Sequence, residues 1–288
     1  MIYGKVIELF LVNGTADSLI TAELSNWNGK AIKIPRIEVA SCARDDITQA
    51  GVYFLFCKED NGMDSVYIGE AENVKERLVQ HLRDYQLEKE KYYWSVAVIF
   101  IGRDLNKALI RYLENRFVEI ARKSKRYLVL TKNTYRNTVM KESQIAVMEE
   151  FVDNVKILIN ALGYKVLEPL VQVDSQVSNI DDETLFITSG TVNATGKVTI
   201  EGFVVFAGST VNEKTSTKSL SDGMQKQRQN LFDVGKVKNL IITEDLLFSS
   251  SSAAADFILG YSVSGPRTWK TKDGRSLKEI EESDTKNS

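Results

Sequence analysis

Five side chains have the types and spacing of a site that could bind a phosphodiester and one divalent cation. Two of them are tyrosines in short segments, Gly51-Val52-Tyr53 and Tyr67-Ile68-Gly69, with the second tyrosine fourteen residues after the first. Arg77 and His81 follow four residues apart, and Glu114 lies in a later amphipathic segment. The set combines proton acceptors, a phosphate-binding cation and a carboxylate.

Hydrolysis of a phosphodiester needs an activated water, stabilised charge on the phosphate oxygens and help for the departing oxygen. A divalent metal on Glu114 could supply much of the last two, and Arg77 offers a fork of donors to a phosphate. Tyr53, Tyr67 and His81 are candidate proton acceptors. A tyrosine base needs a lowered pKa, which an adjacent arginine and a metal would provide. We favour Tyr53 with His81 assisting, but the spacing leaves open which tyrosine is the base.

Short strands and amphipathic helices must position these side chains. Branched and aromatic residues predict two strands at 51–57 and 65–69, joined by a hairpin loop that contains Asn61-Gly62. An apolar third strand is predicted at 95–102. A helix of roughly 105–123, capped by Asp104, places Glu114 at the edge of its apolar stripe.

The helix that carries Arg77 and His81 has a clear start signal. Asn73 can cap it, and Glu76 stands three residues later, as a capping box requires. Because residues four apart are neighbours on a helix, Arg77 and His81 are predicted to lie together at one edge of the apolar face.

Cysteine and histidine content restricts the chemistry. Cys42 and Cys57 are too few for a disulfide framework or a thiolate zinc site. His81 is the only histidine, which excludes multi-histidine metal centres and hydrolases that need two histidines. Any metal must be a hard cation with oxygen ligands, and we expect Mg²⁺ or Mn²⁺.

The net charge of −2 hides a local basic segment. Between residues 103 and 136, ten cations less three anions leave about +7, the kind of charge that meets phosphate. A solvated surface explains such a run equally well. The side chains expected to contact nucleic acid are Arg77, Arg111, Lys123, Lys125, Arg126 and Lys132.

Taken together, these residues resemble the GIY-YIG nuclease family. The resemblance covers residues 51–135 and continues through Leu113-Glu114-Asn115 and Asn133, with Val52 replacing the isoleucine of the first motif. It implies an α+β module, a small antiparallel sheet flanked by helices, that cuts DNA with one divalent cation. It also implies the site roles, which make Glu114 the metal ligand, place Asn133 among the nucleic-acid contacts, and assign catalysis to Tyr53, Tyr67, Arg77, His81 and Glu114.

Three further regions surround the predicted nuclease-like domain of residues 51–136. Residues 1–50 are expected to form a β extension with a meander over 5–36. Residues 137–183 are expected to hold a long helix, 142–162, and a polar linker. A second mixed α/β domain is predicted for residues 184–288, and it resembles an uncharacterised domain that often follows GIY-YIG modules. The segments that carry this second resemblance are Gly202-Phe203-Val204-Val205, Ser249–Ala255 and Trp269-Lys270.

Two features of the C-terminal region invite a functional interpretation that we do not favour. The serine run Ser249–Ser252 has no second histidine to activate it, so a helix cap is expected instead. Trp269 could stack on a base, but a place in the hydrophobic core is the stronger expectation.

The sequence therefore predicts a divalent-metal-dependent endonuclease that hydrolyses DNA. Two alternatives stay open: a catalytically inactive nucleic-acid-binding module with the same fold, and a partner-binding protein dominated by residues 184–288. No apolar run has membrane-spanning length, and the first residues lack a signal-peptide pattern, so we expect a cytoplasmic protein without membrane contact. The choice between DNA and RNA, and the oligomeric state, are left open.

Overall fold

A computed structural model describes residues 3–59, 62–132, 139–170 and 184–287. Contacts divide the chain into two compact units, Met1–Pro169 and Leu170–Ser288. Asn61, Asn133, Arg136 and most of the predicted linker lie outside the described residues. Among the helices that are described, none is long and apolar enough to cross a membrane.

The N-terminal unit is built on one seven-stranded sheet with the spatial order β1-β2-β3-β6-β4-β5-β7. Every neighbouring pair is antiparallel except β5 and β7, which run parallel. The strands are β1 (Ile7–Leu11), β2 (Ile20–Leu24), β3 (Gly29–Pro35), β4 (Gly51–Lys58), β5 (Asp64–Ala71), β6 (Trp94–Gly102) and β7 (Leu128–Val129).

The predicted meander of residues 5–36 is present as β1, β2 and β3, but it is not separate from the next strands. β3 pairs with β6 over its whole length, from Gly29 opposite Gly102 to Pro35 opposite Val96. Pairing satisfies the backbone groups of two apolar strands that would otherwise be sheet edges. The expected small antiparallel sheet is therefore part of a larger, mixed one.

Helices cover both faces of this sheet. They are α1 (Val74–Gln86), α2 (Lys107–Ser124) and α3 (Glu142–Ala161). Because strand side chains alternate, β4 sends Val52 and Phe54 into the core shared with α2 and α3, and Tyr53 and Leu55 into the core shared with α1. β4 is buried from Gly51 to Cys57, so it is a central strand with both faces covered.

The helix starts agree with the sequence in one case and differ in the other. The Asn73 side chain accepts a hydrogen bond from the Glu76 backbone N–H at 3.2 Å, as predicted. Helix α2 is capped by Asn106, whose side chain accepts from the N–H groups of Ala108 and Leu109. The predicted cap Asp104 is wrong, because Asp104 has a left-handed backbone, with φ at 66°, in the turn before the helix.

One end of β5 is an open sheet edge within the described part of the chain. β7 pairs only with Ser65 and Val66. The hydroxyl group of Thr131 then bonds the backbone N–H and C=O of Ile68 at 2.8 and 2.7 Å. Beyond Ile68 no described strand pairs with β5 on the side opposite β4. Side chains from both faces of the sheet can therefore meet there.

The C-terminal unit has its own core around a four-stranded antiparallel sheet. The spatial order is β13-β10-β9-β8, and β11 and β12 form a separate pair. The strands are β8 (Leu185–Ser189), β9 (Val192–Thr199), β10 (Gly202–Val205), β11 (Val237–Lys238), β12 (Ile241–Ile242) and β13 (Leu246–Phe248); the helices are α4 (Asp222–Asp233), α5 (Ser251–Leu259), α6 (Gly265–Thr268) and α7 (Leu277–Asn287).

Two expectations for this unit are confirmed. The Ser250 hydroxyl accepts from the Ala253 N–H at 3.1 Å and caps α5, so the serine run starts a helix. Trp269 is fully buried against Phe203, and its indole N–H donates to the Ser251 carbonyl at 2.9 Å. At the level of class, the structure is a mixed α+β fold with several sheets.

Candidate active site

A cleft of about 740 Å³ lies at the open end of β5, and four of the five predicted catalytic side chains line it. Tyr53 comes from β4, Tyr67 from β5, Arg77 from α1 and Glu114 from α2. The fifth, His81, is fully buried behind Tyr53. Positions distant in the sequence thus converge on one surface depression.

The motif glycines are explained by close approach. A side-chain Cβ on Gly69 would lie 2.5 Å from the Tyr53 hydroxyl oxygen and 2.9 Å from the Tyr67 ring. A Cβ on Gly51 would lie 2.5 Å from the Phe100 carbonyl oxygen. Gly69 therefore leaves the room in which both tyrosine rings lie, and Gly51 allows the tight pairing of β4 with β6.

Tyr53 is the most connected side chain of the site. Its hydroxyl group lies 3.0 Å from His81 Nε2 and 3.3 Å from Arg77 Nε, and the side chain is 1% exposed. Burial raises the pKa of Tyr53, the neighbouring Tyr67 raises it further, and Arg77 opposes both. Burial also raises the pKa of Tyr67, again against Arg77. Without a further positive charge, both phenols stay protonated at neutral pH.

His81 has a partner, Glu90, that the sequence did not predict. Its Nδ1 atom lies 2.6 Å from Glu90 Oε1, and the second carboxylate oxygen of Glu90 is buried with no hydrogen-bond partner in the described residues. Glu90 lies in the connection between α1 and β6, where no periodicity marks a functional residue. His81 also differs from its prediction, because it is wholly inside the core rather than at the edge of the helix face.

Glu114 is a buried carboxylate that faces the cleft. It is 6% exposed, and its Oε2 atom accepts no hydrogen bond from any described residue. Burial raises the pKa of Glu114 to about 7, and the nearby carboxylate of Glu70 adds to the rise, while Lys107, Arg111 and Arg77 oppose it. The Glu114 carboxyl therefore loses its proton at a higher pH than an exposed glutamate when no cation is bound.

The site fits a single hard cation. A Mg²⁺ ion is commonly bound by one or two carboxylates together with water and substrate phosphate. Glu114 offers one unpartnered oxygen, whereas Glu70 is already paired with Lys107 at 2.9 Å. The described residues contain no cluster of three or more histidine, cysteine or acidic side chains that could hold a metal without substrate.

The predicted nucleic-acid contacts fall in different places. Arg77 lines the cleft, and Arg111 lies beside it, 3.9 Å from Glu70. Lys123 is nine residues along α2 from Glu114, about 14 Å at the helical rise, and pairs with Glu119. Arg126 instead donates to the backbone carbonyls of Glu168 and Pro169.

Lys125 and Lys132 are exposed near the same end of α2 as Lys123, and Asn133 is outside the described residues. Lys107, one of the ten cations of the basic segment, was not predicted as a site residue. The structure places it on the cleft wall, where it pairs with Glu70.

Comparison with known proteins identifies one part of the chain. Residues 185–281 match a family described as a domain of unknown function, DUF4357. Neither the curated proteins nor the solved structures contain a match to the chain. An uncharacterised C-terminal domain was expected and is confirmed. The GIY-YIG resemblance of residues 51–135 is supported by no match and stays a prediction.

Replacement of Gly69 by alanine should disturb the tyrosine pair. The new Cβ would overlap the Tyr53 hydroxyl group, so the ring must shift and lose its hydrogen bonds to His81 and Arg77. We expect a loss of about 1–3 kcal/mol in the free energy of unfolding. Urea titration followed by circular dichroism measures it. Gly4→Ala, with no atom within 4 Å of its Cβ, is the control. Equal stability of the two variants would contradict the packing described here.

The raised pKa of Glu114 predicts a pH-dependent stability difference. Its folded-state pKa of about 7 lies above the ordinary 4.5, so the folded state binds the proton more tightly. Wild-type stability should fall as the pH rises between these two values. Glu114→Gln cannot ionise, so its unfolding temperature should rise relative to wild type between pH 4.5 and pH 8. Calorimetry at both pH values, with the exposed Glu150→Gln as control, tests this; a difference that does not change with pH would refute it.

Proposed function

We propose that this protein is a divalent-metal-dependent endonuclease that hydrolyses DNA phosphodiester bonds. The observation that carries the proposal is the convergence of Tyr53, Tyr67, Arg77 and Glu114, from four secondary-structure elements, on one cleft. Two phenols, a guanidinium and an unpartnered buried carboxylate form a set suited to phosphoryl chemistry.

Each side chain has a role that its position allows. Arg77 is half-buried at the cleft wall and can donate to a non-bridging phosphate oxygen while keeping its bond to Tyr53. Tyr53 lines the cleft and, once deprotonated, can accept a proton from a water placed beside the phosphate. Tyr67 stacks on Tyr53 with ring centroids 6.3 Å apart and helps to fix the position of that ring.

Glu114 would hold the divalent cation through its unpartnered oxygen. When bound there, Mg²⁺ or Mn²⁺ supplies positive charge to the phosphate oxygens and to the departing oxygen. Lys107 and Arg111, both beside Glu70, offset part of the carboxylate charge on the same wall of the cleft. DNA is the proposed substrate because it offers the phosphodiester that this arrangement suits.

One observation favours the second candidate function, a nucleic-acid-binding module without catalysis. The pKa values of Tyr53 and Tyr67 are both raised by burial, whereas a tyrosine base needs a lowered pKa. Such a module would bind nucleic acid in a salt-dependent way but would not cut it. The two candidates therefore share the cleft and differ in turnover.

A plasmid assay separates the two candidates. We expect purified protein with Mg²⁺ to convert supercoiled plasmid to the nicked form, and EDTA to stop the reaction. Arg77→Ala and Glu114→Gln should each lower the nicking rate at least about 100-fold, because each removes charge stabilisation at the phosphate. Arg83→Ala, exposed on the same helix as Arg77, and Glu150→Gln are the matched controls. Wild-type nicking rates in both cleft variants would show that this cleft does not cut the phosphodiester bond. Binding without nicking in the wild type would favour the second candidate.

A further inference from the structure

Glu90, His81, Tyr53 and Arg77 form one chain of hydrogen bonds that runs from the core to the cleft. The three successive distances are 2.6 Å between Glu90 Oε1 and His81 Nδ1, 3.0 Å between His81 Nε2 and the Tyr53 hydroxyl, and 3.3 Å between that hydroxyl and Arg77 Nε. His81 is completely buried, and the Glu90 side chain is 15% exposed. Each imidazole nitrogen therefore has one protein partner, and water has little access to either.

The donor and acceptor groups of the four residues fix the direction of every hydrogen bond in this series. An ionised carboxylate can only accept, so the proton of neutral His81 must lie on Nδ1. Nε2 is then an acceptor, and the Tyr53 O–H must donate to it. Arg77 can only donate, so it donates to the lone pairs of the Tyr53 oxygen. All three bonds are satisfied together when the donors point toward Glu90.

We propose that Glu90 is a positioning residue that holds His81 in the Nδ1–H tautomer, so that His81 Nε2 can receive the proton of Tyr53. Three-part arrangements of this kind, with a carboxylate orienting a histidine that activates a hydroxyl group, occur in unrelated hydrolases. Here the hydroxyl group belongs to a phenol.

The proton path from Tyr53 rests on the proposed nuclease function and leaves no group with an extra proton. Tyr53 passes its proton to Nε2, and the phenolate takes a proton from water, whose hydroxide adds to phosphorus. The bond from phosphorus to the leaving oxygen breaks, and that oxygen takes a proton from solvent. Tyr53 then releases the proton it took from water to solvent in the cleft and regains its first proton from Nε2, which restores neutral His81 beside the Glu90 carboxylate.

Because His81 is the only histidine of the chain, ¹⁵N-histidine labelling reports on this one imidazole. The full-length wild-type protein, without DNA or metal, should show a protonated Nδ1 and an unprotonated Nε2 at neutral pH. Glu90→Ala removes the acceptor and should shift the signals toward the other tautomer. Glu90→Gln keeps a carbonyl acceptor and should keep the tautomer. Lys91→Ala, exposed in the same connection, is the control and should match the wild type.

Nicking rates of the same variants complete the test. Glu90→Ala should lower the turnover rate about 10–100-fold with little change in substrate affinity, and Lys91→Ala should not. The Nε2–H tautomer in the wild type, or a wild-type rate in Glu90→Ala, would overturn the proposal. If the wild type shows no cleavage, the nuclease function fails by itself, and the NMR signals still decide whether Glu90 positions His81.

A second and independent observation concerns the C-terminal unit, which has a cleft of about 790 Å³ whose charged lining residues, among those described, are all cations. Arg267, Lys270 and Lys272 are the charged lining residues, and none of them forms an ion pair with any described residue. Asp273 is close in sequence but pairs with Arg275. An exposed tyrosine, Tyr261, shares the wall with these cations.

The cation-bearing segment is held rigidly. Lys270 exchanges two backbone hydrogen bonds with Phe186 of the edge strand β8, at 2.7 and 3.0 Å. Buried Trp269 and Thr271 flank it, so alternation turns Lys270 and Lys272 outward. Fixed cations beside aromatic side chains are the features that bind a single nucleic-acid strand, by phosphate contact and base stacking.

We infer that this cleft binds single-stranded nucleic acid, without need of metal or catalysis in the N-terminal unit. The full-length protein in EDTA should bind a fluorescent single-stranded oligonucleotide. Lys270→Ser with Lys272→Ser should weaken that binding about tenfold and lower the salt slope by about 1.4, about 0.7 for each lysine. A control pair, Lys218→Ser with Lys226→Ser, removes two exposed lysines elsewhere in the unit and should bind like wild type. Equal affinity of the two double variants for the oligonucleotide would overturn this site. So would full displacement of the oligonucleotide by inorganic phosphate at the same concentration as the oligonucleotide.

Discussion

The buried hydroxyl group of Tyr53 is the interaction on which the geometry of the cleft depends. A buried phenol is stable only when its hydroxyl group has partners, and here His81 and Arg77 supply them. Both partners come from α1, one turn apart, so the bonds also fix the rotation of that helix against β4. Gly69 completes the constraint by leaving room for the ring. The spacing of tyrosine, glycine, arginine and histidine is therefore a packing requirement as well as a chemical one.

The open end of β5 explains how helices on opposite faces of the sheet serve one site. Helix α1 packs on the Tyr53 face, and α2 packs on the Phe54 face. A full-length edge strand beside β5 would separate Arg77 from Glu114. β7 ends its pairing at Val66, and Thr131 takes over at Ile68, so the two helices reach the same depression past that point. The convergence of these side chains on one cleft therefore depends on where the short strand β7 ends.

Local patterns predicted much of this arrangement, and long-range packing decided the rest. The strands at 51–57 and 65–69, the Asn73 cap and the α3 helix follow from turn residues, capping chemistry and periodicity. The pairing of β3 with β6 does not, because two apolar strands do not specify their neighbours. Glu90 was missed for a related reason. It acts through His81, nine residues earlier, from an irregular connection, and no spacing rule marks such a contact. The cap at Asn106 shows the limit of ±2 residues in placing a helix start.

The charges of the cleft connect its two candidate functions. Burial raises the pKa of Glu114, and the nearby Glu70 carboxylate adds to the rise. The charge of Glu114 in turn adds to the pKa values of both tyrosines, which burial already raises. A divalent cation held by Glu114, as proposed, would act on all three groups in the same direction, since it would favour the carboxylate and each phenolate. Arg77 already opposes the rise at both phenols. If both phenols keep their protons, these side chains would form a cleft that only binds. If a cation lowers the pKa values of the phenols, the same side chains would form a hydrolytic cleft. The proton affinity of the phenols, more than the shape of the cleft, therefore separates the two candidate functions.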